Sequence, residues 1–234
     1  MKHGMTACVL AAAALLASGC ASVPVMSDRD RGAIAARYDG KTMYLKSSMY
    51  YGQFFGDRYS YLVSPRSFAD FKLLLGADGD PISPGEVLGI IPAGRAVTVQ
   101  RVEFPPAGRP LFTPRFFPWV YMKVDGTFTE KPHILVIAPN TVSKPGFEEL
   151  LGMYLTDKNI RLEVESRPAA IRKAIDEKLI LDGMTEQDLL MSMGSPDAVN
   201  FTDVNGLTTA TWSYPHRCVK LSGGVVIKTF DKAC

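Results

Sequence analysis

The sequence has 234 residues, 47% of them hydrophobic, and its 26 Lys and Arg nearly balance its 24 Asp and Glu. This length suits one large domain or two small ones. A formal net charge of +2 argues against a nucleic-acid-binding protein, because such proteins usually present a basic patch, and we expect no nucleic-acid partner.

The chain opens with a short basic start, followed by an uncharged run of mostly Ala and Leu that ends at Cys20. At ~1.5 Å per residue, a helix of this length falls short of a ~30 Å hydrocarbon core, but it suits the apolar region of a secretory signal. We therefore predict that residues 1–19 form a signal peptide. No other stretch is long and apolar enough to predict a transmembrane helix.

The sequence LASGC at residues 16–20 resembles a bacterial lipobox. The resemblance implies cleavage before Cys20, a diacylglycerol thioether on its sulfur and an acylated amino terminus, so that Cys20 anchors the protein in a membrane. Lipoproteins kept at the inner membrane usually carry Asp at the next position. Ala21 therefore implies the outer membrane, with the protein facing the periplasm. The alternative is an ordinary signal peptide that contains this cysteine by chance.

Composition divides the remaining chain into three parts. Residues 20–36 are small, polar or charged, and they predict a flexible tether. Residues 37–166 are rich in aromatic and β-branched residues, and they predict a β-rich domain. Residues 167–234 combine helical and strand patterns, and they predict a small α/β domain. The expected fold class is therefore α+β.

Apolar residues at helical spacing predict a short helix early in the β-rich domain. Ser64 caps this helix, Pro65 fits its first turn and Gly76 ends it. The apolar face predicted for this helix comprises Phe68, Phe71, Leu74 and Leu75.

Two strands predicted later in the β-rich domain resemble bacterial SH3-like barrels. The first, within 89–104, is an alternating strand that follows a turn at Pro92, Ala93 and Gly94, and the second is a Trp-Val strand over 118–126. The resemblance implies an SH3-like barrel that binds a cell-wall or small-molecule ligand. A buried strand is predicted at 133–139 and a helix at 145–156.

A long loop is predicted at 105–118, because five prolines exclude a central strand there. Aromatic side chains alternate with arginines in this loop, a combination that makes good interface anchors. One interpretation is a loop that contacts a partner or a membrane surface. The other is a loop that folds its aromatic side chains beneath itself. The candidate interaction surface comprises Arg109, Phe112, Arg115, Phe116, Phe117 and Trp119.

The last part of the sequence, 167–234, predicts an amphipathic helix, a second short helix and a β-hairpin. Thr185 caps the second helix, and Asp188 completes an acidic variant of the capping box. Gly194 ends this helix in a conformation that glycine tolerates, and Pro196 prevents its continuation.

This order of motifs resembles the BamE (SmpA/OmlA) family of outer-membrane lipoproteins. The residues that carry the resemblance are Gly183, Met184, Thr185, Leu189, Gly194, Pro196, Trp212, Tyr214, Gly224 and Val226. The resemblance implies two helices packed against a three-stranded antiparallel sheet. We interpret Trp212 and Tyr214 as straddling the faces of this sheet. It also implies a role in β-barrel assembly and envelope integrity, with an envelope protein as partner. We interpret the motif residues as structural rather than catalytic.

Cys218 and Cys234 are the cysteines that remain beyond the signal peptide and the lipid anchor. An oxidising periplasm favours a disulfide between them. However, a hairpin that turns at residues 221–224 places Cys218 opposite about residue 228. The tail must then fold back to bring the two Cα atoms within ~7 Å. The sequence leaves a disulfide and two free thiols as alternatives.

The sequence holds few groups suited to catalysis. His133 and His216 are interpreted as structural hydrogen-bonding residues. The sequence contains no common hydrolase, phosphate-loop or metal-site motif, so we expect no catalytic residue, no metal and no cofactor. The expected function is that of a non-enzymatic, periplasm-facing outer-membrane lipoprotein, a scaffold or accessory in envelope assembly. The alternative is a ligand-binding lipoprotein that acts through its SH3-like domain.

Overall fold

The computed structural model describes residues 26–54, 59–70, 74–75, 81–82, 84–104, 118–126, 129–137, 141–204, 207–232 and 234. The predicted signal peptide and the lipidation residue Cys20 lie outside the described residues. Five residues of the candidate interaction surface also lie outside them: Arg109, Phe112, Arg115, Phe116 and Phe117.

Within the described residues, ten strands precede the C-terminal part of the chain. They are β1 (Thr42–Leu45), β2 (Met49–Phe54), β3 (Tyr61–Ser64), β4 (Leu74–Leu75), β5 (Pro81–Ile82), β6 (Pro84–Ile91), β7 (Ala96–Glu103), β8 (Trp119–Val124), β9 (His133–Val136) and β10 (Leu155–Thr156). Eight of them form one sheet in the order β10-β1-β7-β8-β9-β3-β2-β6, and β4 pairs with β5. Neighbours in the large sheet are antiparallel, except that β3 and β9 are parallel.

Two helices, α1 (Asp28–Tyr38) and α2 (Lys144–Tyr154), pack with this sheet. Each begins at a serine whose side chain accepts a hydrogen bond from a backbone N–H of the first turn, which is the usual N-cap. The shared core contains apolar residues from both helices and from the central strands. We call the large sheet with α1 and α2 the sheet unit. The helix predicted at 145–156 is confirmed as α2.

Helix α1 corrects the prediction of a flexible tether over residues 20–36 for its described part from Asp28 onward, whereas residues 20–25 lie outside the described residues. Ile34 and Tyr38 are buried, and the Tyr38 ring packs edge-on against Phe147 of α2, with the ring centroids 6.3 Å apart. The segment looks like a solvated linker in sequence because only a narrow side of the helix is buried. Burial of that side fixes the helix to the sheet unit.

The helix predicted after Ser64 is also wrong within the described residues. Ser64 ends strand β3, and only Phe68–Asp70 form a short 3-10 helix. Leu74 and Leu75 belong to strand β4 instead. The Phe68 side chain joins a hydrophobic cluster with Trp119, so a contact to a distant strand outweighs the local helical spacing.

The C-terminal unit contains three short helices and four strands. They are α3 (Arg161–Glu165), α4 (Ala169–Asp176), α5 (Glu186–Met193), β11 (Ala198–Val204), β12 (Leu207–Tyr214), β13 (Arg217–Ser222) and β14 (Val225–Phe230). The strands form an antiparallel sheet in the order β11-β12-β13-β14. This sheet has one strand more than the three implied by the family resemblance, because residues 198–204 also pair with β12. Val164 of α3 is buried in the same core, so the unit begins before residue 167.

The turns and caps of this unit agree with local sequence rules. Thr185 and Asp188 form the predicted capping box at the start of α5. Gly194 ends that helix with a φ of +83°, a backbone conformation that favours glycine. The β13–β14 hairpin turns at Gly223 and Gly224, whose φ angles are both positive.

Trp212 and Tyr214 lie on the same face of the sheet, which corrects the expectation that they straddle its two faces. Both side chains are buried in the core beneath the helices of the C-terminal unit. Side chains alternate along a strand with a period of two residues, so positions 212 and 214 must point the same way.

A disulfide joins Cys218 to Cys234, with the Cα atoms 5.0 Å apart. Cys218 lies opposite Phe230 rather than near residue 228. The hairpin turns tightly, with Ser222 opposite Val225, and an irregularity between Lys220 and Leu221 shifts the register by one further residue. The tail therefore has fewer residues to fold back over than the sequence predicted.

Replacing both cysteines by alanine is expected to lower the free energy of unfolding by about 3 kcal/mol, because the open chain gains entropy when a loop of this size is released. The bonded residues are 16 apart in sequence. Chemical denaturation without reductant measures the loss. Adding reductant to the native protein should produce the same loss but leave the double variant unchanged. Equal stability of the native and variant proteins would contradict the prediction.

Candidate binding cleft between the two sheets

A cleft of about 400 Å³ lies where the sheet unit meets the C-terminal unit. One wall comes from β2, from residues 65–67 with Asp70, and from the end of α2. The opposite wall comes from residues 193–197 at the end of α5 and from the turn between β12 and β13. Clefts of this size at the junction of two units are common places for ligands to bind.

An ion pair and a hydrogen bond cross this cleft. The Arg66 guanidinium bonds to the Asp197 carboxylate, and Nε2 of His216 lies 2.9 Å from Oδ1 of Asp70. The partners are separated by 131 and 146 residues, respectively, in the sequence. Because Arg66 and His216 are largely solvent-exposed, the pairs add little stability, but they fix the two walls relative to each other.

Lys178 lies buried behind the cleft, with only 2% of its surface exposed. Its ammonium donates hydrogen bonds to the carbonyl oxygens of Ser48, at 2.7 Å, and Ser192, at 2.9 Å. Its Nζ also lies 5.3 Å from the ring centre of Tyr50, which lines the cleft. Ser48 belongs to the sheet unit and Ser192 to the last turn of α5, so this one side chain joins the two units.

The environment of Lys178 disfavours its charged form. Burial, and to a lesser extent the positive charge of Arg217, lower the pKa of Lys178 to about 7. The carbonyl end of α5 offsets part of this cost, because a helix C-terminus carries partial negative charge. The contact between the two units therefore contains a group that titrates near neutral pH.

Ser48 makes a second connection at the same place. Its buried hydroxyl donates to the carbonyl oxygen of Ile175, at 2.5 Å, and accepts from the backbone N–H of Ala93, at 2.9 Å. Its own backbone N–H donates to the carbonyl oxygen of Met191, at 2.9 Å. The loop between β1 and β2 is thus hydrogen-bonded to both α4 and α5, so these hydrogen bonds join the sheet unit to the C-terminal unit.

Three of the residues that carry the family resemblance line the cleft: Gly194, Pro196 and Tyr214. The Tyr214 hydroxyl donates to the carbonyl oxygen of Gly194, at 3.1 Å, and burial raises the pKa of this phenol. The other predicted motif residues, Gly183, Met184, Thr185 and Trp212, do not line it. These three motif residues therefore have a second role beside shaping the chain, because they form part of a wall of the cleft.

Trp119 does not serve as an exposed interface anchor, which corrects that part of the predicted interaction surface. Its side chain is 6% exposed, and its ring lies 5.3 Å from the ring of Phe54. Consecutive residues of β8 are buried on both faces of the sheet. Trp119 therefore belongs to a core, although it directly follows the predicted loop at 105–118 in sequence.

The two histidines differ from each other. His216 makes the predicted structural contact, with Asp70. His133 does not: it is buried among the rings of Tyr51 and Tyr61, and neither ring nitrogen has a hydrogen-bond partner among the described residues. Burial lowers the pKa of His133 to about 4, so this imidazole is neutral at neutral pH.

The residues that build the cleft carry no local sequence signal. Arg66 and Asp197 lie in irregular segments, Asp70 ends the short 3-10 helix, and Lys178 follows α4 as a charged residue with no recognisable motif. The only feature that points to the cleft is the spacing of Gly194, Pro196 and Tyr214.

Among the described residues, no group of three or more His, Cys, Asp or Glu side chains is arranged to hold a metal ion. The helices of those residues include none that is long and apolar enough to cross a membrane. The chain matches no family model, no curated protein and no solved structure.

Proposed function

We propose that this protein is a lipid-anchored, non-enzymatic accessory of the bacterial outer membrane that faces the periplasm and binds an envelope partner. The cleft between the two sheets is the contact region in this proposal. Cys20 provides the membrane attachment through the lipobox that it completes. The role is that of a scaffold, which holds a segment of the partner close to the membrane.

The observation that carries the proposal is the position of the motif residues. Gly194, Pro196 and Tyr214 carry the resemblance to the BamE family, and all three line the cleft. Two charged groups of the cleft, Arg66 and Asp197, are paired across it. Such pairing suits a rigid binding surface, because it holds both walls in position before the partner arrives.

The finer fold assignments belong to the same proposal. Helices α4 and α5 with strands β12, β13 and β14 support a BamE-like unit, to which β11 adds an edge strand. Strands β7 and β8, which pair in antiparallel fashion, support an SH3-like element within the larger sheet. The cleft volume of about 400 Å³ also lies in the range of small-molecule sites. A soluble ligand of the envelope is therefore the second candidate function.

Site-specific photocrosslinking in living cells tests the proposal. A photoreactive residue replaces Met153, which is about half exposed and lines the cleft. The matched control replaces Leu162, which is exposed but does not line it. We expect an envelope protein to be captured from position 153 alone, and we expect Cys20→Ala to release the protein from the membrane fraction. Identical products from both positions would refute the cleft as the contact region, and an unchanged membrane fraction would refute the anchor.

A further inference from the structure

The cations at the cleft are not equally neutralised. Arg66 and His216 each contact a carboxylate across the cleft. Arg217, which also lines the cleft, comes closest to a carboxylate through Nε, at 3.9 Å from Oδ1 of Asp231. This distance is too long for a hydrogen bond, and the Asp231 side chain is 93% exposed, so the contact is weak.

Lys178, buried behind the cleft, adds no negative charge to it. Its ammonium donates hydrogen bonds to the carbonyl oxygens of Ser48 and Ser192. The positive charge of Arg217 acts unfavourably on this ammonium. An anion beside Arg217 would offset that charge.

The rest of the cleft determines the character of that anion. Tyr50, Met153 and Met193 present apolar surface beside the charged groups. Asp70 and Asp197 line the same cleft, and they repel a group of higher negative charge, such as a phosphate dianion. A single carboxylate attached to an apolar body fits both conditions, because the guanidinium of arginine binds carboxylates through two parallel hydrogen bonds.

We propose that the cleft binds a peptide carboxylate that lies next to an apolar side chain. The Arg217 guanidinium holds the carboxylate, and Tyr50 and Met153 contact the apolar part. This inference rests on the proposed function, because the peptide belongs to the envelope partner. It names the chemistry by which the partner is recognised.

The test uses the full-length lipidated protein in detergent micelles and ligand-observed saturation-transfer NMR. The probe is N-acetylphenylalanine, which presents a carboxylate beside an aromatic ring, and its uncharged amide is the comparison. We expect millimolar binding of the carboxylate, at least tenfold weaker binding of the amide, and a similar loss in Arg217→Gln. Inorganic phosphate is expected to compete poorly.

The matched control is Arg29→Gln, which removes an arginine that is exposed on α1, on the sheet unit. This variant should bind the probe as the native protein does, and the difference between the two variants cancels any partition of the probe into micelles. Thermal unfolding confirms that Arg217→Gln is folded. Equal binding of carboxylate and amide, or equal loss in both variants, would overturn the inference. If a partner is captured from position 153 but the probe experiment gives one of these negative results, the proposed function stands. Only the inference that the cleft recognises a carboxylate is then rejected.

Discussion

Replacing Lys178 by methionine is expected to remove a rise in stability that the native protein shows between about pH 7 and about pH 9.5. Methionine has a similar length and no charge, so it fills the buried space without the ammonium. The rise should amount to as much as about 1.4 kcal/mol in the free energy of unfolding for each pH unit.

The sign of this effect follows from the pKa of Lys178 in the two states. In the folded protein burial lowers the pKa to about 7, whereas in the unfolded chain it has its usual value of 10.5. Between these values the unfolded chain binds the proton and the folded protein does not. Stability therefore increases with pH in this window, and the full cost of the buried charge is present below pH 7.

Urea denaturation of both proteins across this pH range measures the effect as a difference between two curves. The upper limit of this pH range lies below the pH at which tyrosines lose their protons in the unfolded chain. Above it, tyrosines with a raised pKa, such as Tyr154, would make stability fall with pH. The matched control is Lys173→Met, because the Lys173 side chain is exposed on α4. Parallel curves for the native protein and Lys178→Met would contradict the prediction, as would an equal change in the control.

Asp188→Ala is expected to lower the free energy of unfolding by about 1.5–3 kcal/mol, because it removes a buried carboxylate that accepts several hydrogen bonds. Arg167 keeps a second carboxylate partner, Glu163, at 3.3 Å. Asp188 is 4% exposed, and its carboxylate lies 2.8 Å from Nε of Arg167. The same carboxylate accepts hydrogen bonds from the backbone N–H and the hydroxyl of Thr185, at 3.0 and 2.7 Å. One side chain thus caps α5 and links it to the segment before α4.

Denaturation of three variants separates these roles. Thr185→Ala should lower the free energy of unfolding by only about 1 kcal/mol, because it removes the cap but keeps the ion pair. Asp182→Ala is the matched control, since Asp182 is exposed just before the same helix, and it should change little. A loss in Asp188→Ala no larger than that in Thr185→Ala would show that the contact with Arg167 contributes nothing.

The features that the sequence predicted correctly depend on neighbouring residues. Thr185 and Asp188 are three residues apart, and a capping box needs only that spacing. Gly194 and the pair Gly223 and Gly224 take positive φ angles that other residues adopt at a cost. Such rules act within one turn of the chain, so they can be read without knowing the fold.

The features that the sequence missed depend on distant contacts. Phe68 and Leu74 have helical spacing, but Phe68 packs in a cluster with Trp119, and Leu74 pairs with Ile82. Ile34 and Tyr38 fix α1 to the sheet unit, although the sequence around them is mostly polar. These outcomes follow from packing, which overrides local preference when it buries large side chains.

The cleft belongs to the second group. The sequence predicts that Lys178 lies on the surface. Lys178 is buried and joins the two units because the loop that contains Ser48, in the sheet unit, packs against it and accepts its hydrogen bond. The ion pair of Arg66 and the hydrogen bond of Asp70 join residues that no short motif relates. The sequence could therefore predict part of one wall, through Gly194, Pro196 and Tyr214, but not the cleft itself.

The pairing of β1 with β10 affects how the chain can fold. These strands come from opposite ends of the sheet unit, yet Tyr44 lies opposite Thr156 at the edge of the large sheet. During synthesis the N-terminus of the chain emerges first, so β1 cannot pair with β10 until α2 and β10 have also been made. Pairings between such distant segments make folding slow, and until then β1 offers an open edge to other chains. The two residues of β10 therefore cover the open edge of β1 only late in folding. Shortening the α2–β10 segment should increase aggregation during folding more than it lowers the stability of the folded protein.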